Sequence, residues 1–479
     1  MTSMLATDGY KFSMAEAGWP LRRETFYYSH RKGGAQLLPF DVAAELKRIL
    51  PVGTPADYAY LQANEYEMGG GFKAAITQHD VVIRALPQGA IFYDREPVFS
   101  VTGSSALVSW LEPLLLQWSF RIQVATLARF SSQLLADAVK VVTCERQKQL
   151  VLQTLDAVEV KAPSIAVDSE GYVRRVRSRV EELAQIVGDP KRLFEVGLRA
   201  ASCLEQHKLA LEGCKEAGLT RTSSVVGAME LGMVPVGTMG HEHVQRYGSD
   251  EVAFRAMSER RPQRSSYLLD TFDTMASGLP AALALIAERR GAGDSIRYDS
   301  GDKEAQYAFA CQRSRELGIT PVQILEDGFD AAQTRRFEEL RAKEGVAPTH
   351  QVYGYGGYLV AGTSGTPLTR DRVAAVYKLS QTGTRATMKF ANEAGSGKQS
   401  VPGRPVLFRL QLPGGTGPVG IVGQEGEQPP SGYFLLTGDA EARPAALVEA
   451  ARASGLAFSE TTTARMAACR LAAFGSKTG

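Results

Sequence analysis

The stretch Val234-Pro-Val-Gly-Thr-Met-Gly-His-Glu-His-Val-Gln245 predicts a short apolar strand that stops at two glycines. The strand delivers His241 into the loop that follows its carboxyl end. An imidazole in such a loop can titrate near neutral pH, accept a proton or attack as a nucleophile. The alternative interpretation is a surface loop that holds two of the six histidines of the chain.

The same pattern recurs on both sides of this stretch, as apolar runs that end in glycine or polar residues and lead into helix-like sequence. The runs cover 193–199, 233–238, 266–271, 295–302, 321–328 and 351–357, with helical patterns at 281–289, 304–317 and 331–343. Alternating β and α segments predict a parallel sheet. Polar residues at the carboxyl end of each run favour a closed (β/α) barrel, whose active site forms there. A doubly wound open sheet is the alternative, but no early Gly-x-Gly-x-x-Gly supports it.

The segments that flank this region have a different pattern of predicted strands and helices. Strands are predicted at 24–29, 81–86, 90–93 and 98–103, with a turn at 87–89, and a further strand at 374–379. Apolar residues spaced by three and four from Leu107 to Trp118 predict a packed helix. An alanine-rich helical stretch is predicted over 443–474. We expect an N-terminal α+β domain over 1–155, a barrel-like catalytic domain over 156–400, and a C-terminal segment, 401–479, that packs with the N-terminal domain.

Composition restricts the class of protein. The chain has 479 residues, a net charge of +2, 44% hydrophobic and 22% charged residues, as expected of a globular protein with more than one domain. We expect neither a nucleic-acid nor a membrane partner, because basic runs with interleaved aromatics and long apolar spans are missing. Five cysteines without a Cys-x-x-Cys pair, and a start without a signal-peptide pattern, predict a cytoplasmic location.

The densest chemical cluster is Arg297, Asp299, Ser300, Gly301 and Asp302. The arginine can bind a carboxylate or a phosphate, and the carboxylates can bind Mg²⁺ or the hydroxyl groups of a sugar. An ion pair within a loop is the structural alternative. A glycosidase is a functional alternative, because such enzymes also use two carboxylates.

Two further loops have sequences that are typical of phosphate binding. Asp327-Gly328 and Gly354-Tyr-Gly-Gly357 follow the next two predicted strands, and successive glycines can turn backbone N–H groups towards a phosphate. Barrels of this type often bind phosphate on their last loops. His241-Glu-His243 also fits a metal site on an extended segment, but a third His or Cys in a recognisable pattern is missing.

With these residues assembled, the chain resembles the nicotinate phosphoribosyltransferase family and its nicotinamide-using relatives, over about residues 7–410. The motifs are Thr7-Asp-Gly-Tyr-Lys11, Glu195-Val-Gly-Leu-Arg199, Gly237-Thr-Met-Gly-His-Glu242, Leu269-Asp-Thr271, Ile296-Arg-Tyr-Asp-Ser-Gly-Asp302, the loop 354–357, Val376-Tyr-Lys-Leu379, Met388-Lys389 and Pro402-Gly-Arg404. Their order and spacing are more specific than any one of them.

The resemblance implies that nicotinate and phosphoribosyl pyrophosphate give nicotinate mononucleotide and pyrophosphate, in NAD biosynthesis. It implies Mg²⁺ as cofactor, and ATP as co-substrate that is hydrolysed through a phosphohistidine. The implied fold is an irregular α/β barrel of the type II phosphoribosyltransferase kind, with a smaller α+β domain built from the N- and C-terminal segments. The family works as a homodimer with the active site at the subunit interface.

The resemblance also implies roles for individual residues. His241, as the phosphorylated histidine, and Asp299 are the catalytic pair, and Asp270 and Asp299 are the Mg²⁺ ligands. The base contacts are Tyr10, Val196, Arg199, Ser223 and Arg297, with Tyr10 supplied by the neighbouring subunit. The phosphoribosyl and phosphate contacts are Arg31, Asp270, Asp327, Gly328, Gly354, Gly356, Gly357 and Lys378.

Two departures from the family pattern affect the choice of base. Val196 replaces an aromatic or other bulky residue, which leaves Tyr10 to stack on the ring alone. The run Thr222-Ser-Ser224 lacks the aspartate with which nicotinamide-using relatives hold the carboxamide, so nicotinate is favoured. The runs 27–31 and 326–330 are closer to the nicotinamide branch, and nicotinamide is therefore the alternative substrate. A catalytically weak barrel that only binds nucleotides is the alternative from another class.

Overall fold

The structure is a computed structural model that describes residues 2–16, 21–290, 293–361, 368–390, 399–411, 417–438 and 455–474. Its largest sheet has seven strands, and every pairing in it is parallel. From edge to edge these strands are Val234–Pro235, Arg221–Thr222, Leu193–Glu195, Gln351–Tyr355, Val322–Leu325, Ser295–Tyr298 and Ser266–Leu268. The predicted α/β class with a parallel sheet is confirmed.

The strand order is that of a curled sheet. Of these seven strands, Gln351–Tyr355 comes last along the chain and Leu193–Glu195 comes first, and the two pair with each other, so the strands follow one another as around a ring. Within the described ranges no ladder joins the two edge strands, Val234–Pro235 and Ser266–Leu268. All six predicted apolar runs contain a strand. The strand Arg221–Thr222 was not predicted, because the polar sequence Thr220-Arg-Thr-Ser-Ser224 contains no apolar run.

Helices alternate with these strands along the chain and share a buried core with them. They are Ser169–Val187, Leu204–Glu216, Val225–Leu231, His241–Tyr247, Asp250–Arg260, Leu279–Glu288, Lys303–Leu317, Ala331–Glu344 and Gly357–Val360, with short helical turns at Pro190–Arg192, Leu198–Ala200, Thr274–Gly278 and Pro348–His350. Asp302 and Asp330 cap two of them, accepting hydrogen bonds from Ala305 N and Gln333 N. The three helices predicted in this region are confirmed, each within two residues of its predicted ends.

A second sheet is antiparallel and joins the two ends of the chain. Its strands are Arg385–Ala386, Ala375–Thr382, Arg23–His30, Phe99–Ser104 and Val81–Ala85. Ala375–Thr382 pairs with Arg23–His30, which places Lys378 opposite Tyr27. The predicted barrel range of 156–400 therefore extends over strands that pair with the N-terminal sheet.

The predicted turn at 87–89 does not make a hairpin. Val81–Ala85 pairs with Phe99–Ser104, whereas Ile91–Phe92 pairs with Gln36–Leu37. The remaining N-terminal elements are the helices Tyr10–Glu16, Val42–Ile49, Pro55–Ala63, Gly70–Thr77, Ser105–Trp110, Glu112–Gln117, Ser119–Phe130, Ser132–Val139 and Glu145–Ala157, and the paired strands Thr2–Ser3 with Pro51–Val52 and Val141–Val142 with Ala166–Val167. The predicted stripe from Leu107 to Trp118 is buried, as predicted, but it is divided between the helices Ser105–Trp110 and Glu112–Gln117.

The C-terminal residues form a small sheet of Tyr433–Leu435, Pro405–Leu410, Gly420–Gln424 and Ala457–Phe458, after the short helix Arg370–Val373 and before the helix Glu460–Phe474. Arg409 on this sheet makes a buried ion pair with Glu96 of the N-terminal part, with Nη1 2.6 Å from Oε1. The alanine-rich stretch is helical over Glu460–Phe474, and residues 443–454 of that prediction lie outside the described residues. In the part of the chain that the structure describes, no helix has the length and apolar character that crossing a bilayer requires.

Candidate active site

One cavity collects most of the predicted site residues. It lies between the carboxyl ends of the parallel strands and the face of the antiparallel sheet that carries Lys378. Its lining includes Val196, Arg199, Ser223, Thr238, His241, Arg297, Asp299, Ser300, Glu326 and Asp327 from the parallel-sheet side, Arg31, Arg370, Lys378 and Lys389 from outside the parallel sheet, and Asp8, Tyr10, Glu112 and Glu242 at one end. All of these residues belong to a single chain.

His241 is the first residue of the helix His241–Tyr247 and lies at the wall of the cavity. Its Nδ1 lies 3.1 Å from Thr271 Oγ1, and its Nε2 lies 3.3 Å from Asp299 Oδ2 and 2.9 Å from Lys389 Nζ. Burial, and next the ammonium group of Lys389, lower the pKa of His241 below its ordinary value. The imidazole is therefore held neutral, with a nitrogen lone pair directed at its cationic neighbour.

Asp270 and Asp299 flank this histidine. Lys389 Nζ lies 3.1 Å from Asp270 Oδ2 and 3.9 Å from Asp299 Oδ2, so one ammonium group compensates two carboxylates. Burial opposes ionisation of Asp299, but its contact with His241 and the charges of Lys389 and Arg297 hold its pKa well below the usual range. Both aspartates are thus negative at neutral pH.

The same three residues are suited to a metal ion. One ligand atom from each of His241, Asp270 and Asp299 lies within 4.8 Å of the others. Asp270 Oδ1 is buried and accepts no hydrogen bond from a described residue, which leaves a carboxylate oxygen without a partner. Carboxylate oxygens are the ligands that Mg²⁺ prefers, so the two aspartates fit that ion.

Arg297 is fixed deep in the cavity by its neighbours. Its Nη1 donates to Thr238 Oγ1 at 2.6 Å and to the carbonyl oxygen of Met239 at 3.1 Å. Its guanidinium also lies 3.8 Å from carboxylate oxygens of both Asp299 and Glu326. The ion pair with Asp299 that the sequence left as an alternative is present, and it positions the arginine at the cavity wall.

Tyr10 lies at one end of the cavity and is 8% exposed. Its hydroxyl donates to Glu112 Oε2, which also accepts from Lys11 Nζ at 2.8 Å. The Arg199 guanidinium lies 3.8 Å from Glu112 Oε1 and 5.9 Å from the centre of the Tyr10 ring. This end therefore offers an aromatic face beside a cation.

A buried ionic network ties this end to the helix that begins at His241. Lys11 Nζ contacts Glu242 Oε1 at 2.6 Å as well as Glu112. Arg246, one turn further on, lies 3.4 Å from Glu242 Oε2 and 2.8 Å from Glu24 Oε2. Because each charge in this network has a partner, the network can fix the position of the helix without leaving an isolated buried ion.

The cavity is rich in basic side chains. Arg31, Arg370, Lys378 and Lys389 reach it from outside the parallel sheet, and Arg199 and Arg297 reach it from segments of that sheet. Burial lowers the pKa of Lys378 to about 7, far below the ordinary value for a lysine. Six cations around one cavity provide the charge that a polyphosphate would need.

Some predicted site residues lie outside the cavity lining. Asp270 is behind His241 and Lys389, and Gly328, Gly354, Gly356 and Gly357 are not among the lining residues. A side chain at Gly354 would meet Glu326 Cγ at 2.6 Å, so this glycine is needed for packing. The phosphate-binding role of these glycines stays a prediction.

Other lining residues were not predicted, namely Asp8, Glu112, Glu242, Glu326, Arg370 and Lys389. Asp8, Glu242 and Lys389 lie within quoted motifs, and Glu326 begins the quoted run 326–330, but none of them was selected. Glu112 carried a local signal, a lone carboxylate within the apolar stripe from Leu107 to Trp118. Lys389 comes from a distant part of the chain, and only the fold brings it to His241.

Comparison with known proteins gives a consistent result. The nicotinate phosphoribosyltransferase of Bacillus subtilis is 24% identical over 280 residues, which cover 55% of this chain and 54% of that protein. The nicotinate phosphoribosyltransferase pncB2 of Mycobacterium tuberculosis is 29% identical over 223 residues, or 46% of this chain and 44% of that protein. The chain thus spans about half the length of these curated relatives. No family model matches the chain.

The fold has counterparts among solved structures. The nicotinate phosphoribosyltransferase of Porphyromonas gingivalis aligns with a TM-score of 0.59 and 18% identity, covering 84% of this chain and 96% of that one. At this identity the likeness is one of fold. Together with the sequence relatives, it confirms the resemblance to the nicotinate phosphoribosyltransferase family that the motifs predict.

Proposed function

We propose that this chain is a nicotinate phosphoribosyltransferase, which joins nicotinate to phosphoribosyl pyrophosphate and releases pyrophosphate. The observation that carries the proposal is the cavity itself. Six cationic side chains, a row of carboxylates, an aromatic ring and His241 converge on it from distant parts of one chain. The names of the sequence relatives support the same activity.

The two substrates would occupy different parts of the cavity. The pyridine ring would lie on Tyr10, with Arg199 near enough to meet its carboxylate. The pyrophosphate group would lie among Arg31, Arg370, Lys378 and Lys389. The ribose would then lie between them, beside Asp299.

This arrangement suits the transfer of a ribosyl group. The bond from the anomeric carbon to pyrophosphate breaks, the pyridine nitrogen attacks that carbon, and positive charge develops on the ribose during the exchange. Asp299 is negative and lies at the cavity wall, so it can stabilise that charge. The cations that reach the cavity from outside the parallel sheet hold the departing pyrophosphate.

Mg²⁺ is the proposed cofactor, held by Asp270 and Asp299. When bound, it would add positive charge beside the pyrophosphate. The carboxylates would also have to exchange part of their contact with Lys389, which lies 3.1 Å from Asp270.

ATP is the proposed co-substrate, with His241 as the group that accepts its terminal phosphoryl group. The neutral imidazole next to the cation of Lys389 supports this role, because an unprotonated nitrogen can attack phosphorus and the cation can neutralise the phosphate that is transferred. ADP leaves, and later hydrolysis of the N–P bond returns the histidine and gives phosphate. The phosphohistidine would change the charge next to Asp270 and Asp299, which lets ATP hydrolysis drive the reaction forward.

The remaining parts of the proposal concern architecture and setting. The ring-like strand order supports a barrel of the type II phosphoribosyltransferase kind, in which the described residues form no ladder between Val234–Pro235 and Ser266–Leu268. We further propose a homodimer that acts in the cytoplasm in NAD salvage.

A direct assay tests the function. The protein is incubated with nicotinate or nicotinamide, phosphoribosyl pyrophosphate and Mg²⁺, with and without ATP, and mononucleotide and pyrophosphate are measured. We expect nicotinate mononucleotide, formed faster with ATP. Turnover of nicotinamide but not of nicotinate would refute the proposed substrate, and turnover of neither base would refute the proposed function.

A further inference from the structure

Asp8 is a cavity residue that the proposed reaction does not use. It precedes the helix Tyr10–Glu16, is 1% exposed and contributes to the cavity lining. Its Oδ1 accepts a hydrogen bond from Ser223 Oγ at 2.7 Å. The structure thus brings a carboxylate from the N-terminal segment against Ser223, which also lines the cavity.

The second oxygen of this carboxylate has no partner. Asp8 Oδ2 is buried and accepts no hydrogen bond from the described residues. A buried polar atom without a partner costs about 1–3 kcal/mol, so such atoms in a cavity are commonly completed by a ligand or by water. Asp8 therefore presents an open hydrogen-bonding position next to Ser223.

The backbone around Asp8 holds that position firmly. Gly9 N donates to the carbonyl oxygen of Ser223 at 2.7 Å, and Val225 N donates to that of Thr7 at 3.1 Å. The segment fits because Gly9 has no side chain, since a Cβ atom there would lie 2.4 Å from the carbonyl oxygen of Val236. The open oxygen is thus placed by backbone contacts on two sides.

The groups that face Asp8 belong to the proposed base-binding end. They are Arg199, Ser223, Glu112 and Lys11, with Tyr10 two residues away in the sequence. A pyridine ring on Tyr10 with its substituent near Arg199 would bring that substituent towards Asp8. This step rests on the proposed function.

We propose that Asp8 is a specificity-determining residue, whose free Oδ2 meets the exocyclic group at C3 of the pyridine base. As a carboxylate it accepts a hydrogen bond from the NH₂ group of a carboxamide. As a carboxylic acid it donates a hydrogen bond to a carboxylate. One side chain can thus serve nicotinamide or nicotinate, and its proton decides which base binds better.

The surroundings of Asp8 favour a response to pH. Burial raises the pKa of Asp8, and Glu112 acts in the same direction, while Arg199, the hydrogen bond from Ser223 and Lys11 act against them. A bound nicotinate adds a negative charge beside Asp8 and raises its pKa further. Nicotinate binding therefore takes up a proton, and its affinity falls by up to about tenfold per pH unit while Asp8 is ionised in the free protein.

The test measures equilibrium binding of nicotinate and of nicotinamide from pH 6.0 to pH 8.5 by calorimetry, in the wild type and in Asp8→Asn. Other groups that titrate in the cavity affect both bases, so the ratio of the two dissociation constants isolates the effect at the exocyclic group. In the wild type we expect the preference for nicotinate to fall at least tenfold across this range. In Asp8→Asn, whose amide always offers a donor, we expect a ratio that does not change with pH.

Ser223→Ala provides an independent check, because it keeps Asp8 and removes the hydrogen bond that lowers the pKa of Asp8. We expect the preference for nicotinate to extend to higher pH in this variant. If Asp8 had only a structural role, the preference for nicotinate would fall at the same pH in Ser223→Ala as in the wild type. Thermal unfolding of each variant verifies that it is folded.

The outcomes separate this inference from the proposed function. The same pH dependence in Asp8→Asn and in the wild type would overturn the inference, as would binding of neither base. If binding shows the expected selectivity and neither base is converted, the role of Asp8 is supported and the proposed transferase activity is refuted.

Discussion

Lys389 Nζ lies 2.9 Å from His241 Nε2, and the ammonium group can only be the donor in this contact. The nitrogen that faces the lysine therefore carries a lone pair and no proton. Lys389 also contacts Asp270 at 3.1 Å, so a single side chain joins the proposed nucleophile to a proposed metal ligand. The chemistry of His241 thus depends on a residue far from it in the sequence.

The first prediction concerns the covalent role of His241. On incubation with ATP and Mg²⁺ we expect an acid-labile, base-stable phosphate on the wild type, and none on His241→Ala, because the alanine has no nucleophile. Mass spectrometry of the intact protein under alkaline conditions measures the modification. His243→Gln is the matched control, since His243 is buried, contacts the carbonyl oxygen of Ala253 and does not line the cavity.

Two results would contradict this prediction. One is a phosphate that persists in His241→Ala. The other is full ATP-coupled turnover in that variant, which would show that coupling needs no phosphohistidine.

The parallel sheet could be predicted from the sequence because each predicted strand has a recognisable local sequence pattern. Apolar runs such as 295–302 and 321–328 end in glycine and aspartate and are followed by helical patterns. The type of each element and the order of the elements therefore follow from short stretches of sequence. The pairing of Ala375–Thr382 with Arg23–His30 could not be predicted in this way. This pairing joins residues from distant parts of the chain, and no local sequence pattern predicts it.

The residues of the candidate site also differ in whether a local sequence pattern predicts them. His241, Arg297 and Asp299 were predicted because they follow strands of one parallel sheet, whose carboxyl ends meet at one edge. Lys389 and Asp8 lie in the quoted motifs Met388-Lys389 and Thr7-Asp-Gly-Tyr-Lys11 but received no role, because each reaches the cavity from outside that sheet and no strand pattern singles it out. The absence of an acid from the run Thr222-Ser-Ser224 favoured nicotinate, yet the structure places Asp8 on Ser223 from another segment. Sequence position alone did not reveal which charges share the cavity.

The second prediction follows from the burial of Lys378, whose pKa is lowered to about 7. Below this pH the side chain is an ammonium group that attracts phosphate, and above it the side chain is neutral. We therefore expect the affinity for inorganic pyrophosphate to fall between pH 6 and pH 8 more steeply in the wild type than in Lys378→Arg, which stays charged. Calorimetry of both proteins at each pH makes the comparison, because the titration of pyrophosphate itself is common to both.

At pH 8 the wild type should also take up more protons on binding pyrophosphate than the arginine variant does. Buffers of different ionisation enthalpy reveal this uptake. Equal pH dependence and equal proton uptake in the two proteins would show that Lys378 does not titrate in contact with the anion.

The third prediction concerns Gly9, which lets the segment with Asp8 and Tyr10 pack against the strand Val234–Pro235. In Gly9→Ala the new methyl group would lie 2.4 Å from the carbonyl oxygen of Val236, so the backbone must move. We expect a loss of about 1–3 kcal/mol in the free energy of unfolding and at least a tenfold fall in kcat/KM. Urea denaturation and the transferase assay measure these two quantities.

Gly70→Ala is the matched control for Gly9→Ala. No atom lies within 4 Å of the position that its Cβ would take, and Gly70 begins the helix Gly70–Thr77. Alanine favours a helix over glycine by up to about 1 kcal/mol, so stability should stay the same or rise slightly. Equal effects of the two substitutions would mean that the close approach at Gly9 does not position the segment.

The fourth prediction asks which chain supplies Tyr10. The family resemblance implies an aromatic residue from the neighbouring subunit, whereas here Tyr10 lines the cavity that contains His241 of the same chain. Tyr10→Ala and His241→Ala should each be inactive. When the two variants are mixed, unfolded and refolded together, they should stay inactive, because every cavity then lacks one of the two side chains.

If Tyr10 came from a partner in a symmetric dimer, half of the dimers would contain one chain of each variant. Each of these mixed dimers would have one intact site, and about a quarter of wild-type activity would return. Recovery to that level would place the site at a subunit interface, and its absence, with both variants folded and of the same oligomeric size as the wild type, would establish a site completed within one chain.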